Sequence, residues 1–441
     1  MTEYYEPLKQ EDLQAMKAAF LSQPQGQVLA NAIASNGINK TAKNQQVFAK
    51  LNRTFSDEIQ TGAVSNQKQS GRCWLFSILN TLKHQFANQY HVKDFEFSQS
   101  YLFFWVKIER ANIFYDRMIA LAGKPTSDRE VEFYLSSPGT DGGQWAMAAA
   151  LVQKYGVVPR ETFPETAVTE NTHDLDMLLN RKMRHDALQL RELIANQASD
   201  EEIMSAKHNF LTEIYRITAE TVGLPPEKFD LEYRDDKKQY HLDQGLTPKE
   251  FYDKYLGVDL DEYVVLSNSP DKEFNEIYAL PSQNNVEGGK SIELVNVSMD
   301  KLKQAAIKQI QAGETIWFGN DVLQQSDRQN GVLASDLYKQ DDLFGINTQM
   351  SKAERLQYHE AEVSHAMTIT GVDLINNQPT KWKVENSWGD KVGDKGYFVM
   401  SDQWMDDYTY EVVIKKQYLD AETKQILDQA PLVLDPWDSL A

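Results

Sequence analysis

The strongest constraint on the fold is a change in the spacing of apolar residues between the two halves of the chain. From Cys73 to Tyr90 apolar residues recur every three or four positions, which predicts a buried helix that begins at Cys73. Residues 365–374 (HAMTITGVDL) and 381–388 (KWKVENSW) instead show β-branched and aromatic alternation, which predicts two strands. The chain is therefore expected to have an α+β fold, with a helical front half and a β back half.

The two predicted strands are joined by a segment with the composition of a turn, Asn376-Asn377-Gln378-Pro379. They should therefore form an antiparallel hairpin. If its centre lies near Ile375 and Asn376, the pairing places His365 opposite Asn386. The sequence thus predicts that these two side chains meet.

Local signals predict several further elements. The turn Asp141-Gly142-Gly143 leads into a helix from about Gln144 to Tyr155. Thr247 and Glu250 have the spacing of a capping box at the start of another helix. Apolar spacing also predicts a helix over 298–311 and strands over 315–318 and 396–400.

The charge and composition of the chain exclude several classes of partner. Its 441 residues include 65 acidic and 45 basic ones, a net charge of -20, so no nucleic-acid or anionic membrane partner is expected. No apolar stretch approaches the ~20 residues that span a bilayer, and the charged N-terminal region does not have the pattern of a secretory signal. A single cysteine fits a reducing compartment, so we expect a cytoplasmic protein.

That cysteine, Cys73, is a candidate nucleophile. The N-terminus of a helix favours thiolate over thiol, and Gly71 allows the backbone to approach closely there. The alternative is a cysteine that only packs in the core, which is the commoner role of a buried free thiol. The sequence leaves open whether Arg72 stabilises a thiolate or is a solvated charge.

His365 is the best candidate for a general base among the eight histidines. Its predicted neighbour Asn386 can accept a hydrogen bond from one ring nitrogen and so direct the other towards the sulfur. His359-Glu360 is not a zinc motif, because Val363 stands where the second histidine would be needed. Thiol, imidazole and amide therefore form a triad by role, with no metal and no cofactor predicted.

Three blocks, in this order, resemble the catalytic blocks of papain-like cysteine peptidases: QKQSGRCWLF at 67–76, SHA at 364–366 and VENSWG at 384–389. The Gly-Arg-Cys-Trp and Val-Glu-Asn-Ser-Trp-Gly forms are most similar to the bleomycin hydrolase and bacterial aminopeptidase C group, over nearly the whole chain. The resemblance implies a papain-like fold and hydrolysis of short peptides by a thiolate–imidazolium mechanism.

The resemblance also implies roles for individual residues. Cys73 would be the nucleophile, His365 its base and Asn386 the orienting amide, while Gln67 and the Cys73 amide would form the oxyanion hole. Gly142 and Gly143 would form a backbone edge that binds substrate, although such a turn before a helix is more often only a loop. Trp388 would also shield the His–Asn contact. The implied substrate-binding positions are Asp141, Gly142, Gly143, Ala366, Trp388 and Ala441.

The chain departs from papain itself in two ways. Ser70 stands where the papain pattern has a cysteine, and the histidine and asparagine follow much further downstream. The first difference fits a cytosolic branch and the second indicates an insertion. The predicted organisation is an N-terminal extension (1–60), a helical half with the nucleophile (61–160), a mainly helical insertion (161–296), a β half with the hairpin (297–430) and a C-terminal arm (431–441).

Two further expectations come from the resemblance alone. One is a homohexamer whose active sites face an internal channel. The other is a C-terminal arm whose carboxylate holds the substrate's N-terminal ammonium. The tail after Trp437 is about three residues shorter than expected for strict aminopeptidases, or roughly 10 Å of extended chain.

The carboxylate of Ala441 is therefore expected to stop short, which would permit oligopeptidase or endopeptidase action. Strict aminopeptidase action is the alternative. A catalytically silent binding protein and an acyltransferase or amidase are further readings that the sequence leaves open.

Overall fold

The centre of the molecule is a twelve-stranded mixed sheet with helices packed on both faces. The computed structural model describes residues 6–440. In sheet order the strands are Leu432–Val433, Glu276–Ala279, Glu293–Asn296, Tyr263–Ser267, Thr409–Lys415, Ile316–Asn320, His365–Ile375, Gln378–Glu385, Tyr397–Ser401, Val332–Leu333 and Ser326–Asp327, with Asp57–Glu58 paired to the side of His365–Ile375. A separate hairpin is formed by Phe229–Arg234 and Tyr240–Leu246.

Most of the long helices come from the front part of the chain. The α-helices are Gln10–Leu21, Gly26–Asn36, Ile38–Ala42, Gln45–Lys50, Cys73–Tyr90, Gln99–Ala120, Arg129–Ser136, Trp145–Tyr155, Ala167–Glu170, His173–Ala195, Asp200–Val222, Pro248–Phe251, Met299–Gln311, Gln340–Phe344, Lys352–Gln357, Asp402–Tyr408 and Ala421–Ile426. Within residues 6–440, none of them has the length and apolar character needed to cross a membrane.

The central strands divide their side chains between two cores because neighbouring residues of a strand point to opposite faces. Ala366 and Val413 lie in the core that contains helix Cys73–Tyr90. Met367 and Val412 lie in a second core on the other face of the sheet. Residues on the same face of the sheet as Ala366 therefore face the helix that begins with Cys73.

Most of the predicted elements are confirmed. The predicted helix at the cysteine has the bounds Cys73–Tyr90, and the one after the glycine pair is Trp145–Tyr155. Thr247 and Glu250 form the expected capping box. The remaining predicted elements are Met299–Gln311, Ile316–Asn320 and Tyr397–Ser401.

The hairpin is present, but its register differs from the predicted one. Its turn consists of Asn376 and Asn377, which both have positive φ, so Ile375 pairs with Gln378. The pairing includes irregularities and ends at Thr368 and Glu385. His365 instead lies in register with Asn320 of the neighbouring strand, and Asn386 follows the end of its own strand. The prediction that these residues are direct cross-strand partners is therefore wrong, although their side chains do meet.

The predicted insertion contains more β structure than expected. Its first part is helical, with His173–Ala195 and Asp200–Val222. Its last part provides three strands of the large sheet, Tyr263–Ser267, Glu276–Ala279 and Glu293–Asn296. The boundaries at 161 and 296 remain a prediction, but a mainly helical character fits only the first part of the segment.

Candidate active site

Cys73 begins helix Cys73–Tyr90 and lines a cavity of about 860 Å³ together with Gln67, His365 and Trp388. The backbone N–H of Ala366 lies beside the sulfur and favours the thiolate form. The turn before the cysteine is tight, because a Cβ added to Gly71 would lie 2.6 Å from a neighbouring Cβ, that of Asp141. Any side chain at this position would clash, so the tight turn that leads into the helix requires glycine at Gly71.

Arg72 does not face the cysteine as a free cation. Its side chain is buried, and Nη2 lies 2.8 Å from Oε2 of Glu165. The same nitrogen donates a hydrogen bond to the carbonyl oxygen of Thr169 at 2.8 Å. The structure thus answers the open question, since Arg72 is a buried structural cation paired with Glu165.

His365 and Asn386 are brought into contact by the ends of two neighbouring strands. Nε2 of His365 lies 2.8 Å from Oδ1 of Asn386, which also accepts a hydrogen bond from the backbone N–H of Ser387 at 2.8 Å. Because Oδ1 can only accept, Nε2 must carry the proton and Nδ1 is left free to act as a base. The ring of Trp388 stacks on the imidazole with centroids 4.9 Å apart.

Burial opposes charge on both reacting side chains. It raises the pKa of the Cys73 thiol to about 11, although backbone hydrogen bonds act in the opposite direction. It lowers the pKa of His365 to about 4, against the effect of the hydrogen bond to Asn386. The helix N-terminus alone therefore does not produce a thiolate here. A thiolate would form together with an imidazolium, because that pair carries no net charge.

The side chain of Gln67 is fixed at both ends of its amide. Oε1 accepts a hydrogen bond from the hydroxyl of Ser387 at 2.5 Å, and Nε2 donates one to the carbonyl oxygen of Ser70 at 2.6 Å. Within residues 6–440 the second N–H of Nε2 has no partner, and the residue lines the cavity. This leaves one amide proton available to a ligand beside the cysteine.

Asp141 lines the cavity but uses its carboxylate to hold the protein together. It accepts hydrogen bonds from the backbone N–H of Gly71 at 2.9 Å and the hydroxyl of Thr172 at 2.5 Å, and it lies 2.8 Å from Nζ of Lys107. Burial raises the pKa of Asp141, but Lys107 and the hydrogen bonds outweigh it and hold the pKa below its usual range. The carboxylate therefore positions the turn before Cys73, and substrate binding by Asp141 remains only a prediction.

The two glycines that follow differ in their surroundings. The carbonyl oxygen of Gly142 accepts a hydrogen bond from Nη2 of Arg110 at 2.7 Å. Gly143 packs against Trp74, and a Cβ added there would lie 2.7 Å from the indole ring. Both glycines line the cavity, and substrate binding by their backbone remains a prediction.

A buried ion network behind the site was missed by the sequence analysis. Glu385 is fully buried, with Oε1 3.1 Å from Nζ of Lys83 and Oε2 2.7 Å from Nε2 of His84. Burial raises the pKa of Glu385, but the two basic partners outweigh it and hold the pKa at about 2. The available signal was the adjacent pair Lys83 and His84, two basic residues in a helix whose buried residues are mostly apolar.

The C-terminal arm ends in the same cavity. Leu440 is 2% exposed and lines it, and its carbonyl oxygen accepts a hydrogen bond from Nε2 of Gln144 at 3.3 Å. Further back, Nζ of Lys272 lies 3.0 Å from the carboxylate of Asp438. Ala441, whose carboxylate was predicted to contact substrate, lies outside the described residues.

Comparison with known proteins identifies the family. The model of the Peptidase C1-like family matches residues 7–441. The chain belongs to this family. It is a cysteine-type peptidase of the bleomycin hydrolase and aminopeptidase C group, with a papain-like α+β fold.

Several relatives cover almost the full length of the chain. It is 52% identical to aminopeptidase G of Lactobacillus delbrueckii subsp. lactis and 51% identical to aminopeptidase E of Lactobacillus helveticus, over 98% of both chains in each case. The crystal structure of PepW from Lactobacillus rhamnosis HN001 superposes with a TM-score of 0.97 at 49% identity, again over 98% of each chain. These findings support the peptidase interpretation over the binding-protein and acyltransferase alternatives.

Proposed function

We propose that this peptidase hydrolyses short peptides, with Cys73 as nucleophile, His365 as general base and then acid, Asn386 as the orienting amide and Gln67 as an oxyanion donor. The observation that supports this most directly is the 2.8 Å contact between Nε2 of His365 and Asn386. It leaves Nδ1 unprotonated in the cavity that the thiol also lines.

The reaction would begin when the thiol proton passes to Nδ1 of His365 and the sulfur attacks the peptide carbonyl carbon. The unused N–H of Gln67 and a backbone N–H would stabilise the oxyanion. As the C–N bond breaks, the proton on Nδ1 goes to the leaving amine. Water then attacks the thioester and gives a proton to Nδ1. The C–S bond breaks, and that proton returns to the sulfur of Cys73.

The cavity also bears on where in a peptide the enzyme cuts. Leu440 occupies part of it, so the arm restricts the space available to a long substrate. The names of the relatives favour removal of N-terminal residues. The competing proposal is a cavity that stays open beside Leu440 and also admits blocked or internal segments.

One peptide with a free and with an acetylated N-terminus tests this choice, with products mapped by mass spectrometry. Cleavage of both forms supports oligopeptidase or endopeptidase action, and addition of three residues after Ala441 should then suppress cleavage of the acetylated form. Complete failure on the acetylated peptide contradicts the open cavity and supports a strict aminopeptidase. The Cys73→Ala variant should cut neither form.

We further propose that the enzyme acts in the cytoplasm as a homohexamer. The single reduced cysteine supports the compartment. Helix Gln10–Leu21 contains no buried residue and exposes Leu13, Met16 and Phe20, which supports packing against another copy. Light scattering on the purified chain tests the assembly, and a monomer would contradict it.

A further inference from the structure

We propose that Glu411 binds a cationic group of the peptide substrate inside the active-site cavity. The group is an ammonium or guanidinium, supplied by a basic side chain or by the α-ammonium at the N-terminus of the peptide. This inference rests on the proposed function, since it concerns a peptide held in the same cavity. Glu411 lines that cavity, although no sequence motif indicated it.

The sheet places Glu411 in line with the site of reaction. Glu411 lies opposite Gly319, and Gly319 lies opposite Ala366, whose N–H contacts the sulfur of Cys73. Directly opposed residues share a face of the sheet, so all three positions face the nucleophile helix. Neighbouring strands are about 4.8 Å apart, which puts the Cα of Glu411 roughly 10 Å from that of Ala366.

A β-bulge accounts for this placement. Thr409 lies opposite Asn320 and Glu411 opposite Gly319, so Tyr410 is an extra residue in its strand. With regular pairing Tyr410 would occupy the position opposite Gly319. The bulge therefore presents a carboxyl group at this point of the cavity, where regular pairing would present a phenol.

Gly319 leaves the space into which the carboxyl group extends. A Cβ added to Gly319 would lie 3.2 Å from Oε2 and 3.4 Å from Cβ of Glu411. The same Cβ would lie 3.1 Å from Cγ1 of Val363. A larger residue at Gly319 would stand between Glu411 and Ala366, so the absence of a side chain keeps that part of the cavity open.

The carboxyl group of Glu411 has no compensating partner among residues 6–440. The residue is 1% exposed, and within residues 6–440 its Oε1 has no hydrogen-bond partner and its carboxylate no ion pair. Burial alone raises its pKa to about 7. The buried carboxylates of Asp141 and Glu385 each have a lysine partner instead.

An unpartnered buried carboxyl group is unfavourable, and a ligand that donates hydrogen bonds and positive charge relieves it. An extended peptide advances roughly 3.3–3.6 Å per residue. The carboxyl group of Glu411 is thus within reach of a residue that lies close to the cleaved bond. A lysine or arginine side chain, or a free N-terminus at that distance, supplies the missing partner.

Paired peptides test the proposal. In each pair of peptides, one has lysine and the other norleucine at one of the two residues that flank the cleaved bond. Every peptide is made once with a free and once with an acetylated N-terminus. For the native enzyme we expect one of these comparisons to show a preference, with kcat/KM at least roughly tenfold higher for the peptide that carries the extra positive charge. A charge-assisted hydrogen bond has an effect of this size. A lysine effect identifies a side chain as the ligand, and an acetylation effect identifies the α-ammonium.

Glu411→Gln should remove this preference while hydrolysis of the uncharged peptide continues. Glu362→Gln is the matched control, because Glu362 lines the same cavity but is exposed, and it should keep the preference. Glu411→Leu gives the same readout should Glu411→Gln fail to fold, since neither variant loses a hydrogen-bond or ion partner in the described part of the chain.

The proposal is overturned if the native enzyme shows neither preference, or if the preference survives in a folded Glu411 variant. In both cases peptides would still be cut, and the proposed function would stand. Failure of the native enzyme to cut any peptide would instead contradict the proposed function itself.

Discussion

Nζ of Lys83 lies 3.1 Å from Oε1 of Glu385, and this buried contact joins the two elements that present the cysteine and the asparagine. Lys83 belongs to the helix that begins with Cys73. Glu385 is the last residue of the strand that leads to Asn386. The ion pair therefore fixes the helical half of the site against its β half.

Replacing Glu385 with glutamine should destabilise the protein by about 3 to 5 kcal/mol, because it leaves a buried lysine without its counter-charge. Urea unfolding at pH 7 measures this loss. Glu58→Gln is the control, since its ion pair with Lys383 is half exposed and should contribute about 1 kcal/mol or less. Equal effects of the two substitutions would contradict a special role for the buried pair.

The contribution of Glu385 should also depend on pH. Its pKa in the folded protein is about 2, below the ordinary value of 4.5, so the folded state binds its proton more weakly than the unfolded state. The stabilisation is complete above pH 4.5 and is lost as the pH falls towards 2. The difference in unfolding free energy between native protein and Glu385→Gln should therefore shrink over this interval.

Cys73→Ala and Cys73→Ser should abolish turnover and leave the circular dichroism spectrum unchanged, because only one sulfur atom is replaced. Iodoacetamide should label the native thiol at pH 6 faster than the same thiol in the unfolded chain, since His365 accepts its proton. Activity that survives in Cys73→Ala, or equal labelling rates, would show that the nucleophile has been misidentified.

Gln67→Ala should lower kcat by about 10² to 10³, the usual effect of losing one oxyanion donor. Asn386→Ala should lower activity less than Cys73→Ala, because it disturbs the orientation of the base and keeps the nucleophile. Steady-state kinetics with a short fluorogenic peptide measure both. An unchanged kcat in Gln67→Ala would remove this residue from the site.

Gly143→Ala should reduce both stability and activity, because the added Cβ would lie 2.7 Å from the ring of Trp74, next to the cysteine. Overpacking of this kind typically costs about 1 to 3 kcal/mol. Gly123→Ala is the control, since nothing lies within 4 Å of a Cβ added there. Thermal unfolding and kcat/KM of the two variants provide the comparison.

Activity on an uncharged peptide should persist well below pH 6.5, the ordinary pKa of a histidine. Burial lowers the pKa of His365 to about 4, so the neutral base survives to lower pH and is lost only when the pH falls through that value. The profile of kcat/KM against pH tests this, with circular dichroism at each pH to verify folding. An acid limb near pH 6.5 would contradict the effect of burial.

The sequence predicted the elements that carry the site better than the contacts between them. Period and capping signals are local, which is why the helix at Cys73 and the hairpin strands were found. The register was missed because irregular pairing in the hairpin shifts it, and nothing local indicates such a shift. The position of Glu411 depends on a bulge and on pairing with Gly319, 92 positions earlier in the chain. A sequence motif indicates neither feature.

The strand order of the sheet has a consequence for synthesis of the protein. Cys73 emerges from the ribosome long before His365 and Asn386, and Leu440 reaches the cavity last. Contacts between such distant segments form only after the loops between them close, so the working site is among the last parts to assemble. A nascent or truncated chain that ends before His365 therefore displays the thiol without this histidine, and the constellation is complete only after Asn386 has also emerged.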